Sequence, residues 1–263
     1  YDDNVFLAGK FHWATGNGYI DEQGNLRPSL GLWRVRDYHK RQLTLMVERG
    51  LPPWITVHHT NTNNLIALGF ATNCMGMEWK YGAHDFQERF SPDYIRAVCH
   101  GKQGGFLPTV LDGITGAKTP EQKTWATRTM LAALLPHEVR PTCPRGSDFA
   151  LIARTLGHLF EFGTHLPDCR FYPYWGDDNP LRLDCPELLS ASYLRGKKML
   201  VFMGSFAGHD VSDQLRFGFR ENSPGLLKSA RNLESGEALP VSSGILPLHI
   251  KKHDFLFLEL EFE

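Results

Sequence analysis

Up to about residue 165 the chain alternates helix-start signals with short apolar runs; from about Phe171 the helix signals give way to closely spaced strand-like runs. No other feature narrows the fold as much. Helix, strand, helix, strand is the rhythm of β/α units on a parallel sheet, whereas many short strands between turns belong to sandwiches and barrels. Ser29 heads a stretch in which Leu32, Val35, Leu43 and Met46 form an apolar stripe and Gly50 supplies a stop, which predicts a helix over 30–49. Pro52-Pro53 parts it from a buried strand over 54–57. Ser91-Pro92-Asp93 opens a second helix with proline at its first position, and 106–111 reads as another strand. Thr119-Pro120-Glu121-Gln122 is a capping box for a third helix, and Ser147-Asp148 starts a fourth that stops at Gly163. Strands ending at Tyr1, His58 and Asp112 fit part of a (β/α) barrel or a doubly wound sheet, and the barrel is preferred.

In the second half, strand-like runs fall at 188–193, 197–203, 215–219, 246–250 and 255–262, parted by turns such as Arg195-Gly196 and Ser223-Pro224-Gly225. Residues 255–262 (FLFLELEF) begin apolar and then alternate, as a half-exposed final strand does. The expected fold class is therefore α/β: a partial (β/α) TIM-like barrel over 1–170, followed by a C-terminal all-β sandwich over 171–263.

The net charge of −1 gives no support to nucleic acid or an anionic membrane surface as partner. The longest apolar runs are far too short to span a bilayer. Five irregularly spaced cysteines contain no C-x-x-C pair, and free, mostly buried thiols are expected. Tyr1-Asp2-Asp3-Asn4 reads like a strand end, so an N-terminal portion of the same protein is expected to precede it. Localisation is left open, with secretion or the periplasm among the options.

Barrel active sites lie at the C-terminal ends of strands and in the loops that follow, which makes a short list of candidates. Asp2 and Asp3 are adjacent carboxylates at such an end, suited to general acid/base or nucleophile duty, or equally to a solvated turn. His58, His59, Asn61 and Asn63 belong to seven consecutive hydrogen-bonding side chains that can grip sugar hydroxyls, each of which wants a donor and an acceptor. Neighbours in a strand face opposite ways, so one of His58 and His59 is expected to face a pocket. Glu78 and Trp79 set a carboxylate beside an aromatic ring, an acid and a stacking platform, with Asp85 following. Trp13, near Gly16-Asn17-Gly18-Tyr19, is a weaker platform, and Arg36 is a candidate loop anchor. No H-x-x-x-H or H-E-x-x-H pattern signals a metal, and Gly16-Asn17-Gly18 lacks the later glycine of a dinucleotide site, so neither metal nor cofactor is expected.

Arg36-Asp37 with Lys40-Arg41, the strand into His58-His59, Phe70-Ala71 before Glu78, and Phe171 to Trp175 leading into Ser192-Tyr193 and a β tail together resemble barrel glycosidases. The resemblance is to glycoside hydrolase family 123 and its relatives. It implies a β-N-acetylgalactosaminidase whose substrate's acetamido oxygen attacks, with an Asp orienting that group and an adjacent Glu as acid/base. The Asp-Glu dipeptide here, Asp21-Glu22, sits in a turn-like setting, so those roles are not carried onto it. The expectation is a glycosidase acting on a carbohydrate, including an N-acetylhexosaminide, with Asp2, Asp3 and Glu78 as carboxylates. A non-catalytic carbohydrate-binding or scaffold protein and a polysaccharide lyase stand as alternatives.

Overall fold

A computed structural model describes residues 1–3, 5, 9–12, 14, 16–59, 64–79, 85–99, 105–112, 116–142, 146–220 and 223–263. The elements in chain order are β1 (Tyr19–Ile20), β2 (Leu26–Arg27), α1 (Leu32–Glu48), β3 (Thr56–His58), α2 (Leu65–Leu68), β4 (Asn73–Trp79), α3 (Pro92–Val98) and β5 (Leu107–Asp112). Then come α4 (Pro120–Leu134), a 3-10 turn (Leu135–His137), β6 (Arg140–Pro141), α5 (Phe149–Phe162), β7 (Arg170–Tyr172), β8 (Leu181–Arg182) and β9 (Leu188–Arg195). The last are β10 (Lys198–Ser205), β11 (Val211–Phe217), β12 (Leu227–Asn232), β13 (Ala238–Leu239), β14 (Leu246–Ile250) and β15 (Phe255–Phe262). They fall into two compact units, Tyr1–Glu78 with Ala97–Leu111, and Trp79–Arg96 with Asp112–Glu263.

The first unit is built on parallel pairing. β3 lies parallel to β4, with Thr56 opposite Asn73 and His58 opposite Met75, and β5 is the next neighbour of β4. The first residues lie along the other side of β3. Asp2 N–H donates to Thr56 O at 2.8 Å, His58 N–H to Asp2 O at 2.9 Å, and Val5 N–H to His58 O at 3.0 Å. Val57 and Cys74 meet Ile55, Leu68 and Phe106 in one apolar core, with Leu43 and Met46 of α1 packed against it. Thr56 and His58 therefore face the opposite side of the sheet. Helix α1 starts two residues later than the expected 30–49, with Gly31 in the left-handed region at φ 61° as its cap. Ser29 Oγ instead accepts from Gly18 N–H at 3.1 Å, so a tertiary contact takes the hydroxyl that the sequence assigns to the helix. Cys74 and Cys99 are buried, and burial pushes both thiols up to about 12.

The second unit holds a six-stranded sheet, β13-β12-β15-β10-β9-β7, and a three-stranded one, β14-β11-β8. Met199, Val201 and Met203 of β10 join Leu258 and Leu260 of β15 in a core completed by Val211, Leu215, Leu246 and Ile250 of the smaller sheet. The alternate residues Leu200, Phe202, Phe255 and Phe257 pack against Leu131 and Ala132 of α4 and Leu151 and Leu159 of α5. A strand covered on both faces cannot alternate, which explains the unbroken apolar run along β10. The capping box at Thr119 and Gln122 forms as expected, Asp148 accepts from Leu151 N–H at 3.0 Å, and Gly163 ends α5 at φ 84°.

Among the polar groups of this unit, the buried His137 is strongly perturbed. It is 1% exposed, its Nδ1 meets Ala133 O at 2.7 Å, and its Nε2 meets Tyr174 Oη at 2.9 Å. A carbonyl only accepts, so Nδ1 carries the proton and Nε2 accepts from the phenol. Burial disfavours the imidazolium and lowers its pKa to about 4, against 6.5 unfolded. The unfolded chain then binds more protons below pH 6.5, so this contribution is full above 6.5 and is lost as the pH falls toward 4. The whole difference is about 3 kcal/mol. Urea unfolding at pH 7.5 and 4.5 should show the parent losing more stability on acidification than His137→Gln, by most of that amount. Equal losses would contradict the assignment.

Candidate functional site

Asp3 and His58 sit side by side at the C-terminal ends of adjacent parallel segments, and their side chains meet, Asp3 Oδ1 to His58 Nδ1 at 2.8 Å. Tyr1 Oη donates to the same carboxylate oxygen at 3.1 Å. The Tyr1 phenol is raised above its ordinary value, first by burial, then by the bond to and charge of Asp3, then by the charge of Glu78. Glu78, half-buried near the end of β4, thus bears on the Tyr1 phenol through its charge. Register alone does not put it beside His58: His58 lies opposite Met75, and strict alternation would bring Met77 round next. The result is a hydroxyl, an imidazole and the Asp3 carboxylate brought together at strand ends, where a barrel places its chemistry. Tyr1 was not among the residues the sequence singles out; its position two residues before Asp3, on the same side of an extended segment, is the signal that could have found it.

Asp2 turns the other way. Its Oδ1 lies 3.4 Å from both Tyr38 Oη and Gln42 Nε2, and its Oδ2 lies 3.5 Å from Nε2 of the fully buried His39. His39 Nδ1 in turn donates to Ala67 O at 3.0 Å. Adjacent residues of an extended segment point to opposite faces, so Asp2 grips α1 while Asp3 meets His58, and the two carboxylates do not act as a pair. The same alternation separates His58 from His59. His59 is 1% exposed, and burial, ahead of its other influences, lowers its pKa below the ordinary histidine value.

The remaining sequence candidates scatter. Arg36 stacks its guanidinium 4.9 Å from the Phe70 ring centre and lies 3.4 Å from Asp37, which makes it an anchor for the turn after α2. Trp79 belongs to the second unit, is 1% exposed and packs edge-on against Phe86 at 5.1 Å, so both faces of its ring are occupied by protein. Asp85, also in the second unit and buried, accepts from Gln87 N–H at 3.0 Å and lies 2.5 Å from His253 Nδ1, holding the β14–β15 turn in which His253 adopts φ 53°. Trp13, Asn61 and Asn63 lie outside the described residues.

No family model matches the chain, and no curated protein does. Solved structures do match. α-Galactosidase I from Mortierella vinacea aligns with a TM-score of 0.53 over 89% of this chain, at 12% identity. The chain shares its fold with a glycoside hydrolase. It spans 64% of that α-galactosidase's length. Two further similar structures are a maltogenic α-amylase from Thermotoga neapolitana (TM-score 0.48, 11% identity, 93% of this chain and 72% of that one) and a GH30 endoxylanase from Clostridium papyrosolvens (0.45, 10%, 94% and 76%).

Proposed function

We propose that this protein is a glycoside hydrolase whose chemistry is carried by Asp3 and Glu78, with Tyr1 and His58 holding Asp3 in place. The observation that carries the reading is the fixed carboxylate of Asp3, bridged by Tyr1 and His58 at a strand end. A carboxylate held by two partners is fixed where positive charge develops at the sugar ring, or where an acetamido group must be oriented. Glu78, on the next strand but one, is the proton donor to the leaving oxygen. Asp2 is a positioning residue that pins the segment to α1 through His39, Tyr38 and Gln42.

The finer reading follows the family 123 resemblance: an N-acetylhexosaminide as substrate, a (β/α) barrel over 1–170 and a β sandwich over 171–263. Preceding β/α units of the same protein would complete such a barrel. The activity of the Mortierella vinacea α-galactosidase supports the reaction class by analogy of fold, and fold by itself does not fix substrate. A screen of the full chain against aryl α- and β-glycosides, N-acetylhexosaminides included, tests the proposal. Release of the aryl alcohol is expected from at least one of them. No release from any of them would sink the glycosidase reading and favour a binding protein.

A further inference from the structure

The connection that leaves Asp3 and enters α1 carries a groove of about 820 Å³, within the range of ligand sites. Tyr19 and Trp33 line it and are 57% and 63% exposed. Asn17, Ser29, Arg34 and Asp37 line it as well. Large aromatic rings dominate cores because they bury so much surface, so two of them left open in one groove need a reason. Trp33 does not extend the core stripe of α1, which runs through Leu43 and Met46. Its neighbours three and four residues on are Arg36 and Asp37, so it stands as an aromatic on an otherwise charged part of the helix.

The groove is built rather than loose. β1 and β2 pair with Tyr19 opposite Arg27, and Asp21 closes their turn by accepting from Asn25 N–H at 2.7 Å and Arg27 Nε at 2.7 Å. The Gly18–Ser29 bond ties the hairpin to the start of α1. Rings on a fixed hairpin and a helix, interleaved with an amide, a hydroxyl and one charge of each sign, match a sugar chain, whose rings have apolar faces and whose hydroxyls each want a donor and an acceptor. One cation balanced by one anion favours an uncharged chain.

We propose that this groove binds an uncharged oligosaccharide, with Trp33 and Tyr19 as ring platforms. The choice of a sugar as occupant rests on the glycosidase reading, while the binding measurement is independent of hydrolysis. The test is tryptophan emission of the full chain titrated with chitohexaose, xylohexaose and maltohexaose. A saturable blue shift with at least one hexamer is expected, absent in Trp33→Ala, with affinity lowered about tenfold in Tyr19→Ala. No saturable shift with any hexamer, or an affinity by isothermal titration calorimetry unaltered in both variants, would overturn the proposal. Self-association in sedimentation that depends on Trp33, without a sugar response, would overturn it too and make the face a contact between copies. Binding without aryl glycoside hydrolysis would sink the catalytic reading and leave the groove; hydrolysis without binding would sink the groove alone.

Discussion

Replacing Gly204 by alanine should destabilise the protein by about 3 kcal/mol, the upper end of the range for overpacking a core. Gly204 lies on β10 between Leu189 and Phe255 on the flanking strands. A methyl group there would stand 1.9 Å from the carbonyl oxygen of Ala132 and 2.8 Å from its carbonyl carbon. Those are backbone atoms of α4 in a fully buried turn, so no side chain can swing aside to make room. The helix must lift from the sheet or the strand must bend, and either opens the core that Leu131 shares with Phe202 and Phe255. Gly208, with nothing within 4 Å of its added carbon, is the matched control and should tolerate alanine nearly unchanged. Urea midpoints of the two variants measure the difference. Equal midpoints would mean that α4 does not rest on β10 as described.

Asp3→Asn should lower kcat/KM on an aryl glycoside roughly 1,000-fold, about 4 kcal/mol of transition-state stabilisation. The substitution keeps the shape and the bonds to Tyr1 and His58 within reach, and removes only the charge. The Asp3 side chain is 54% exposed, so stability should move by no more than about 0.5 kcal/mol, and unfolding curves separate the two effects. Loss of activity with an unchanged midpoint supports a chemical role. Activity within twofold of the parent would remove Asp3 from the site.

Much of this was legible because it is local. The capping box at Thr119, the Asp148 cap and the Gly163 stop each need only a few neighbouring residues, and all three form. β14 and β15 alternate cleanly or switch from apolar to alternating, and their limits coincide with 246–250 and 255–262. β12 has only Ala230 buried, so its charged residues hid it among the turns. β4 is buried on both sides and shows no period of two, and it reads in sequence as a string of interesting residues rather than a strand. Ser29 failed as a cap because Gly18, eleven residues away, claims its hydroxyl.

The site divides in the same way. Asp3 and His58 became candidates because they follow strand-like runs, where a barrel works, and Glu78 because it stands beside an aromatic ring in a stretch not read as a strand. Which of two neighbours faces the site depends on the phase of the strand, which sequence leaves free; hence Asp2 and His59 were indistinguishable from Asp3 and His58 until Val57 was seen to face the core. The aromatics show the limit most plainly. Trp79 sits beside a carboxylate and is buried, while Trp33 looks like one more apolar residue of a helix and is open. Composition names the ring; only packing decides which way it turns.

The central claim is that Glu78 gives a proton to the leaving oxygen while Asp3 serves the sugar ring, and leaving-group dependence measures this most directly. Parent and Glu78→Gln would be compared on phenyl and 2,4-dinitrophenyl glycosides of the sugar found active in the screen. Phenolate is a poor leaving group and needs the proton; dinitrophenolate does not. The account predicts a fall of roughly 100- to 10,000-fold for the phenyl glycoside in Glu78→Gln, with the dinitrophenyl glycoside slowed far less. Equal rates for parent and variant on the phenyl glycoside would contradict it, and the proton donor would then have to be sought elsewhere.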